Sequence, residues 1–398
     1  MDDRTDLGAR IKQLRGKLLS QRQLADRAGI SVDLIRKLEQ GRRHTASIGS
    51  LQRIARALDV DTSELLSKAT PMPSFDPESG VVAMRRMLTS IDELLGEDPG
   101  NGEPVSMDGA RKDTTFAWGS YWSGKYGDLS ALLPQAVTRA RAMELDASSA
   151  DKAEASDLLA QLYQITGCTL VHLGRPDGAW LAFGHALSAA ERGTDPLRAA
   201  TLRGSLSWFL LTQGRYDEAC RVAVHGAQSI EPTTKVSVPH LSVWGSLILT
   251  GANAAGRDRQ DGKAADLLEV ARETADRIGG DRNDYETSFG VSQVIMQTAD
   301  VQVVSERFSE ALTTARRMPR DAALPLASRA RHLADVAYAQ TRLGQSDRAI
   351  DTLLSMEAHA PDWMKHQTLP RQTIAELLER ERPTRLRELA GRIGATSR

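Results

Sequence analysis

Hydrophobic positions in the first part of the chain recur at the spacing of short helices. Leu7, Ile11, Leu14 and Leu18 share one face, while Arg10, Lys12, Arg15 and Lys17 take the others, which predicts a first helix. Ser20-Gln21-Arg22-Gln23 has the form of a capping box: the serine hydroxyl accepts a backbone N–H three residues on and Gln23 reaches back. It starts a second helix with Leu24, Ala25 and Ala28 apolar, which Gly29 ends. Ser31 then caps a third, Val32–Gln40, stopped by Gly41. Two short helices joined by so tight a turn make a helix-turn-helix unit. A fourth helix is predicted from about Ser47 to Leu58, and Asp61-Thr62-Ser63-Glu64 is a second capping box that opens a fifth.

Three prolines at 71, 73 and 77 break the helical pattern and mark a boundary. Val81, Met84, Leu88, Ile91 and Leu95 then form an apolar stripe on one helix, and the polar stretch Glu97–Asp113, with its glycines and proline, reads as an exposed loop. From Thr114 onward the pattern is helical throughout. The division expected is a domain at 1–68, a linker with one helix and a loop at 69–113, and a helical domain at 114–398.

The string Ser20 to Ser31, then Ile35, Leu38-Glu39-Gln40-Gly41-Arg42-Arg43 and Leu51 to Leu58, resembles the five-helix DNA-binding domain of the Xre/Cro family, to which the lambda repressor belongs. The resemblance covers about the first 66 residues. It implies that the third helix enters the major groove with its N-terminal part facing base edges. Ile35 and Leu38 point inward on that helix, which leaves Val32, Asp33, Arg36, Lys37 and Gln40 outside. Arg36 suits a bidentate guanine contact, Asp33 a cytosine amino group and Val32 a thymine methyl. The alternative for Asp33 and Arg36 is a mutual ion pair on a solvated face. Gln21 stands where family members touch a phosphate, and Arg42, Arg43 and His44 follow as phosphate anchors, which position the protein without reading sequence.

The long second part repeats. Gly174-Arg175-Pro176-Asp177-Gly178-Ala179, Gly214-Arg215-Tyr216-Asp217-Glu218-Ala219, Glu306-Arg307-Phe308-Ser309-Glu310-Ala311 and Gly344-Gln345-Ser346-Asp347-Arg348-Ala349 each read as a turn leading into a new helix. The stretch 256–264 reads as a longer version, and Lys125-Tyr126-Gly127-Asp128-Leu129 as a first one. Anchored on Ala179, Ala219, Ala264, Ala311 and Ala349, the periods are 40, 45, 47 and 38 residues. These units resemble tetratricopeptide repeats with lengthened loops, and HEAT-like pairs fit the periods too. The expected fold is all-α: a five-helix lambda-repressor-like domain followed by a tetratricopeptide-like right-handed α-solenoid.

In such an array the first helix of each pair lines the concave face. Counting back from the anchors gives Gln161, Gln164 and His172, then Trp208 and Thr212, Ser246 and Asn253, Gln293 and Asp300, and Arg331, Tyr338 and Arg342. Asn253 stands out because an amide both donates to and accepts from a peptide backbone.

Charge sharpens the division. The chain carries 51 Lys+Arg and 52 Asp+Glu, but residues 1–70 hold 14 against 9 and the rest 37 against 43. A positive head on an acidic body fits modest, salt-sensitive DNA affinity and excludes a wholly basic binder. Cys168 and Cys220 are too few for a disulfide framework or a four-ligand zinc site, so packed thiols are expected. No apolar run suggests a leader or a membrane span, which favours the cytosol. Phosphate-loop, dinucleotide, zinc-hydrolase and nucleophile-elbow motifs do not occur, so neither catalysis nor a cofactor nor a metal is expected. An Xre-type domain before repeats also resembles the peptide-pheromone-sensing regulators of Gram-positive bacteria. That implies a homodimeric regulator on an inverted-repeat DNA operator, controlled by a peptide or small-molecule effector. The alternative is a repeat adaptor tethered to DNA that docks a protein partner without a diffusible ligand.

Overall fold

The computed structural model describes residues 8, 11–12, 15, 19–42, 46, 50, 53–54, 57–58, 77–91, 95, 105–233, 235–380 and 383–395, with the side chains of 77–79 and 362 excepted. Leu7, Leu14, Leu18, the 61–64 capping box and the prolines at 71 and 73 lie outside the described residues. Every described element is helical apart from one antiparallel bridge, Arg282 to Phe289. Contacts divide the chain into two units, Met1–Phe75 and Asp76–Arg398.

In the first unit, α1 (Gln21–Ala28) and α2 (Val32–Glu39) form as the caps require. Ser20 accepts from the Gln23 N–H while Gln23 reaches back, Gly29 closes α1 in the left-handed conformation (φ 60°), and Ser31 accepts from the Leu34 N–H. Leu24, Ala25, Ala28, Ile35 and Leu38 are buried together with Ile11 and Ile54. One charge sits inside this small core. The Glu39 carboxylate, only 2% exposed, accepts from Arg15 Nε (2.7 Å) and Nη2 (3.0 Å) and from Gln21 Nε2 (2.7 Å), and so ties three segments together.

The second unit opens with α3 (Pro77–Leu88). Val81, Met84 and Leu88 of the apolar stripe are buried in the main core of the body, whereas Ile91 and Leu95 are exposed, because the helix ends at Leu88. Arg85 pairs with Asp177 (2.5 Å) and the His185 ring meets the Leu88 carbonyl (3.0 Å). The stretch expected as loop to Asp113 is helix from Met107, since the Ser106 hydroxyl accepts from the Gly109 N–H and caps it.

Six antiparallel pairs follow: α4 (Met107–Trp122) with α5 (Tyr126–Asp146), α6 (Lys152–His172) with α7 (Pro176–Arg192), α8 (Pro196–Thr212) with α9 (Tyr216–Ser229), α10 (Val238–Arg257) with α11 (Asp261–Ile278), α12 (Val291–Val304) with α13 (Phe308–Ala315), and α14 (Leu326–Arg342) with α15 (Ser346–His359). All six turns are alike. A left-handed residue ends the first helix, Gly124, Gly174, Gly214, Arg259, Glu306 and Gly344 in turn, with φ between 58° and 73°. The N–H of the next residue donates to the carbonyl five residues back over 2.8–3.0 Å in every case, for example Arg175 to Leu170 and Gln260 to Ala255. The stretch at 256–264, expected as a longer version, has the same length as the others; Arg259 takes the conformation that glycine takes elsewhere. Five residues past each left-handed residue stands Leu129, Ala179, Ala219, Ala264, Ala311 or Ala349, none more than 2% exposed.

Between α11 and α12 the chain makes an insert. Phe289, 1% exposed, packs its ring so tightly on Gly245 of α10 that a Cβ there would stand 2.3 Å from it. Tyr285, Glu286 and Ser288 hold positive φ near the tip (54°, 59° and 52°), and Asp281 anchors the base through the Ser292 and Ala323 N–H groups (2.9 and 3.0 Å). Three closing helices follow α15: α16 (Pro361–Lys365), α17 (Thr368–Arg380) and α18 (Thr384–Ile393). They return to the first two pairs. Trp363 lies against Gly124, His366 packs edge-on to Tyr126 (5.7 Å between ring centres), and Gln367 Nε2 stands 3.3 Å from His172 Nδ1.

The turn makes a clear demand. Gly214→Ala places a Cβ in the left-handed region and is expected to lower unfolding stability by about 1–2 kcal/mol, whereas Arg259→Gly shifts it upward, both read as urea midpoints. Equal effects at the two sites would refute the shared turn.

Candidate functional site

The outer face of α2 carries most of the residues expected to face DNA. Asp33, Arg36, Lys37, Gln40 and Arg42 are exposed, while Val32 is half-buried and packs on the small core. Asp33 pairs with Lys37 (2.7 Å) and not with Arg36, and this neighbour holds its carboxyl below the usual carboxylate range. Among the described residues the Arg36 guanidinium has no hydrogen-bond partner. It thus projects from the last turn of the helix with its donors open. Gln21 gives one amide N–H to Glu39 and keeps the other. Arg43 and His44 lie outside the described residues.

The body holds a half-enclosed cavity of about 460 Å³. Its wall is built from the first helix of every pair: Trp118, Tyr121 and Trp122 of α4; Gln164, Cys168 and His172 of α6; Gly204, Ser205, Trp208 and Thr212 of α8; Ser246, Thr250 and Asn253 of α10; Gln293, Met296 and Gln297 of α12; and Ser328 and Arg331 of α14. Glu286 of the insert and Trp363, His366 and Gln367 of the closing segment complete it. Gln164, His172, Trp208, Thr212, Ser246, Asn253, Gln293 and Arg331 are therefore brought together as their shared helical face predicts.

Four expected residues are not in the wall. Gln161 accepts from the Trp118 indole (3.3 Å) outside it. Asp300 lies behind it, 3% exposed and paired with Arg257 (2.7 and 2.9 Å). Tyr338 and Arg342 share the face of Arg331 but stand two turns or more further along, about 10 Å at the helical rise, where they bond to each other (2.8 Å) and pack on Phe308. Asn253 lines the cavity, yet its amide is engaged: it donates to Gln297 and Asp300 and accepts from Arg257. It serves the wall.

At the aromatic end, His172 and Trp208 are among the expected residues, whereas Trp118, Tyr121, Trp122 and Trp363 are not. Four of the six tryptophans of the chain, Trp118, Trp122, Trp208 and Trp363, face this space. Trp118 stands eleven residues before Leu129, as Trp208 does before Ala219 and Asn253 before Ala264, so counting back from Leu129 reaches it. Glu286 and Trp363 lie outside any repeat and carry no such signal. Trp118, Tyr121 and Trp122 pack with ring centres 5.2–6.4 Å apart, and His172 stacks on Tyr126 at 4.5 Å. The Trp122 indole donates to Glu286 (2.7 Å), which fixes the insert to this end.

Burial sets the ionisation here. It pulls the His172 imidazole down to about 3, helped by the Arg331 charge, and that of His332, 6% exposed, to about 4. It pushes the Cys168 thiol up to about 12, so that thiol is a packed neutral group. Burial, with Asp300 beside it, pushes the Asp335 carboxyl well up, while Arg257, against the opposing effect of burial, pulls Asp300 down to about 2. Among the described residues no group of His, Cys, Asp and Glu is arranged to hold a metal ion, and no helix is long and apolar enough to cross a membrane.

Two measurements check this. A neutral buried histidine loses stability as pH falls from its unfolded value, ~6.5, through its folded one, because only the unfolded chain takes the proton in that window. His332→Leu should therefore remove about 1.4 kcal/mol per pH unit of the wild-type decline between pH ~6 and ~4.5, read from urea midpoints. Separately, Asp300→Ala strands a buried guanidinium and should cost about 3–5 kcal/mol, whereas the joint Asp300→Leu, Arg257→Met change should cost far less; similar losses in both would disprove the pairing.

The helix-turn-helix domain family matches residues 6–67. No curated protein matches the chain. Among solved structures it is similar to Bacillus thuringiensis PlcR, described in complex with the peptide PapR7 and DNA, at 12% identity and a TM-score of 0.35 over 78% of this chain and 95% of that one. It is also similar to the apo form of the competence regulator ComR from Streptococcus vestibularis, at 13% identity and a TM-score of 0.31 over 83% and 98%. Likeness at these scores leaves the function of the body to be argued from the chain itself. Its N-terminal part, by the family match and by the capped pair α1 and α2, is a helix-turn-helix domain.

Proposed function

We propose that this chain is a DNA-binding transcription regulator of the Xre type, whose tetratricopeptide-like body takes a diffusible effector in its cavity and which acts as a homodimer on an inverted repeat. The observation that carries the reading is the union, in one chain, of a helix-turn-helix domain and a body whose six first helices converge on one cavity. A protein-docking adaptor has no need of a recess closed on this many sides, which favours the diffusible effector. Control follows if the effector binds one arrangement of the body better than another, since a ligand shifts an equilibrium only by its differential affinity.

On α2, Arg36 is the base-reading residue, with Val32, Asp33, Lys37 and Gln40 beside it; Gln21, Arg42, Arg43 and His44 hold phosphates. One module of this size reads half a site, hence the dimer.

Selection from random duplexes should return an inverted repeat with half-sites about one helical turn apart, ~34 Å. Arg36→Ala should cost about 1–3 kcal/mol and relax preference at one base pair per half-site, while Arg42→Ala weakens all duplexes alike and flattens the salt dependence. No enrichment at low salt, or an Arg36→Ala loss that is the same for every sequence, would sink the assignment.

A further inference from the structure

The cavity has a chemistry of its own, set by which of its polar groups are already satisfied. Asn253 is tied into the network with Gln297, Asp300 and Arg257, so the side chain best suited to a peptide backbone is occupied. The Glu286 carboxylate accepts from the Trp122 indole and the Asn283 amide (2.7 and 2.6 Å). Against these stands Arg331. It lines the cavity half-buried and, among the described residues, has no hydrogen bond or ion pair. Its charge is felt at the Tyr121 hydroxyl and the His172 imidazole, which places it beside the aromatic end. The nearby acids are otherwise engaged: Asp300 is matched by Arg257, and burial beside Asp300 pushes the Asp335 carboxyl well up. Two buried acceptors, Gln164 Oε1 and Gln293 Oε1, also line this space and have no partner. A half-buried cation and two buried carbonyl oxygens left open are costly unless a ligand completes them.

We infer that the effector is a small aromatic anion bearing at least one O–H or N–H donor, its rings packed among Trp118, Tyr121, Trp122 and Trp208, its anionic group on Arg331 and its donor on Gln164 or Gln293. The inference rests on the reading of the cavity as an effector site. About 460 Å³ suits one compact molecule of two or three rings. Arg331 fixes its orientation, because a planar guanidinium binds carboxylate or sulfonate through paired N–H donors.

Two probes separate the parts of this statement. 1-Anilinonaphthalene-8-sulfonate and N-phenyl-1-naphthylamine share rings and an N–H donor and differ by the anion. Fluorescence titration of the full chain should show the sulfonate binding at least tenfold tighter. Arg331→Gln should bring it to the level of the neutral probe without changing that probe, and Arg331→Lys should restore part of the difference. Thr250→Trp, which fills the cavity, should abolish both, with thermal melts verifying that each variant is folded. Equal affinity of the two probes, or a sulfonate affinity unmoved by Arg331→Gln in a folded variant, overturns the anion assignment while the cavity stands as a binding site. Failure of both probes to bind, or binding that survives Thr250→Trp, overturns the cavity reading and this inference with it.

Discussion

A helix that ends on a left-handed residue, with the following N–H reaching back across its last turn, must change direction sharply, and the body uses this device six times to start an antiparallel partner. Because the small or apolar anchor always follows the left-handed residue by five positions, the second helix of each pair packs at a repeatable depth. The first helices are thereby presented in parallel register. One face of each then meets a common space, and positions separated by about one turn, such as Gln164, Cys168 and His172 or Ser246, Thr250 and Asn253, fall together. The cavity is the geometric result of the turns.

What could be read from the residues follows the same logic. Caps and glycines are local chemistry, so α1, α2 and the turns at Gly174, Gly214 and Gly344 were legible where they stand. The turn at Arg259 was not, because nothing in an arginine announces a left-handed backbone; its neighbours supply the energy that holds it there. Burial of the anchor alanines followed from spacing alone. Which polar residues face the cavity followed from helical periodicity, but how far along a helix the cavity extends did not, and this separates Arg331 from Tyr338 and Arg342. Asn253 is a different kind of miss: the position was right, and its amide was found engaged by partners 44 and 47 residues away that no local pattern reveals. Glu286 and Trp363 reach the cavity from outside any repeat, through tertiary contact only.

Charge is used differently in the two units. In the small unit a buried carboxylate, Glu39, is engaged by Arg15 and Gln21, while the arginine three residues earlier faces outward and its guanidinium has no hydrogen-bond partner among the described residues. In the body, Asp300 behind the cavity wall is paired with Arg257, and burial pushes the carboxyl of its neighbour Asp335 well up. Each unit thus leaves an arginine, Arg36 on the outer face of α2 and Arg331 in the cavity wall, without a side-chain partner among the described residues.

The contact of Trp363 and His366 with the first pair, and of Gln367 with the second, changes what kind of repeat protein this is. An open array can lengthen or shorten by whole units, and it frays from its ends, since each unit depends only on its neighbours. Here the last segment must land on Gly124 and Tyr126, so the number of units is fixed by the requirement of meeting. Duplication of one unit, the ordinary route by which such proteins diversify, would leave the ends out of step and the recess unsealed. Variation in this architecture is confined to side chains on the inner faces, so new ligand preferences arise by substitution on a frame of constant size.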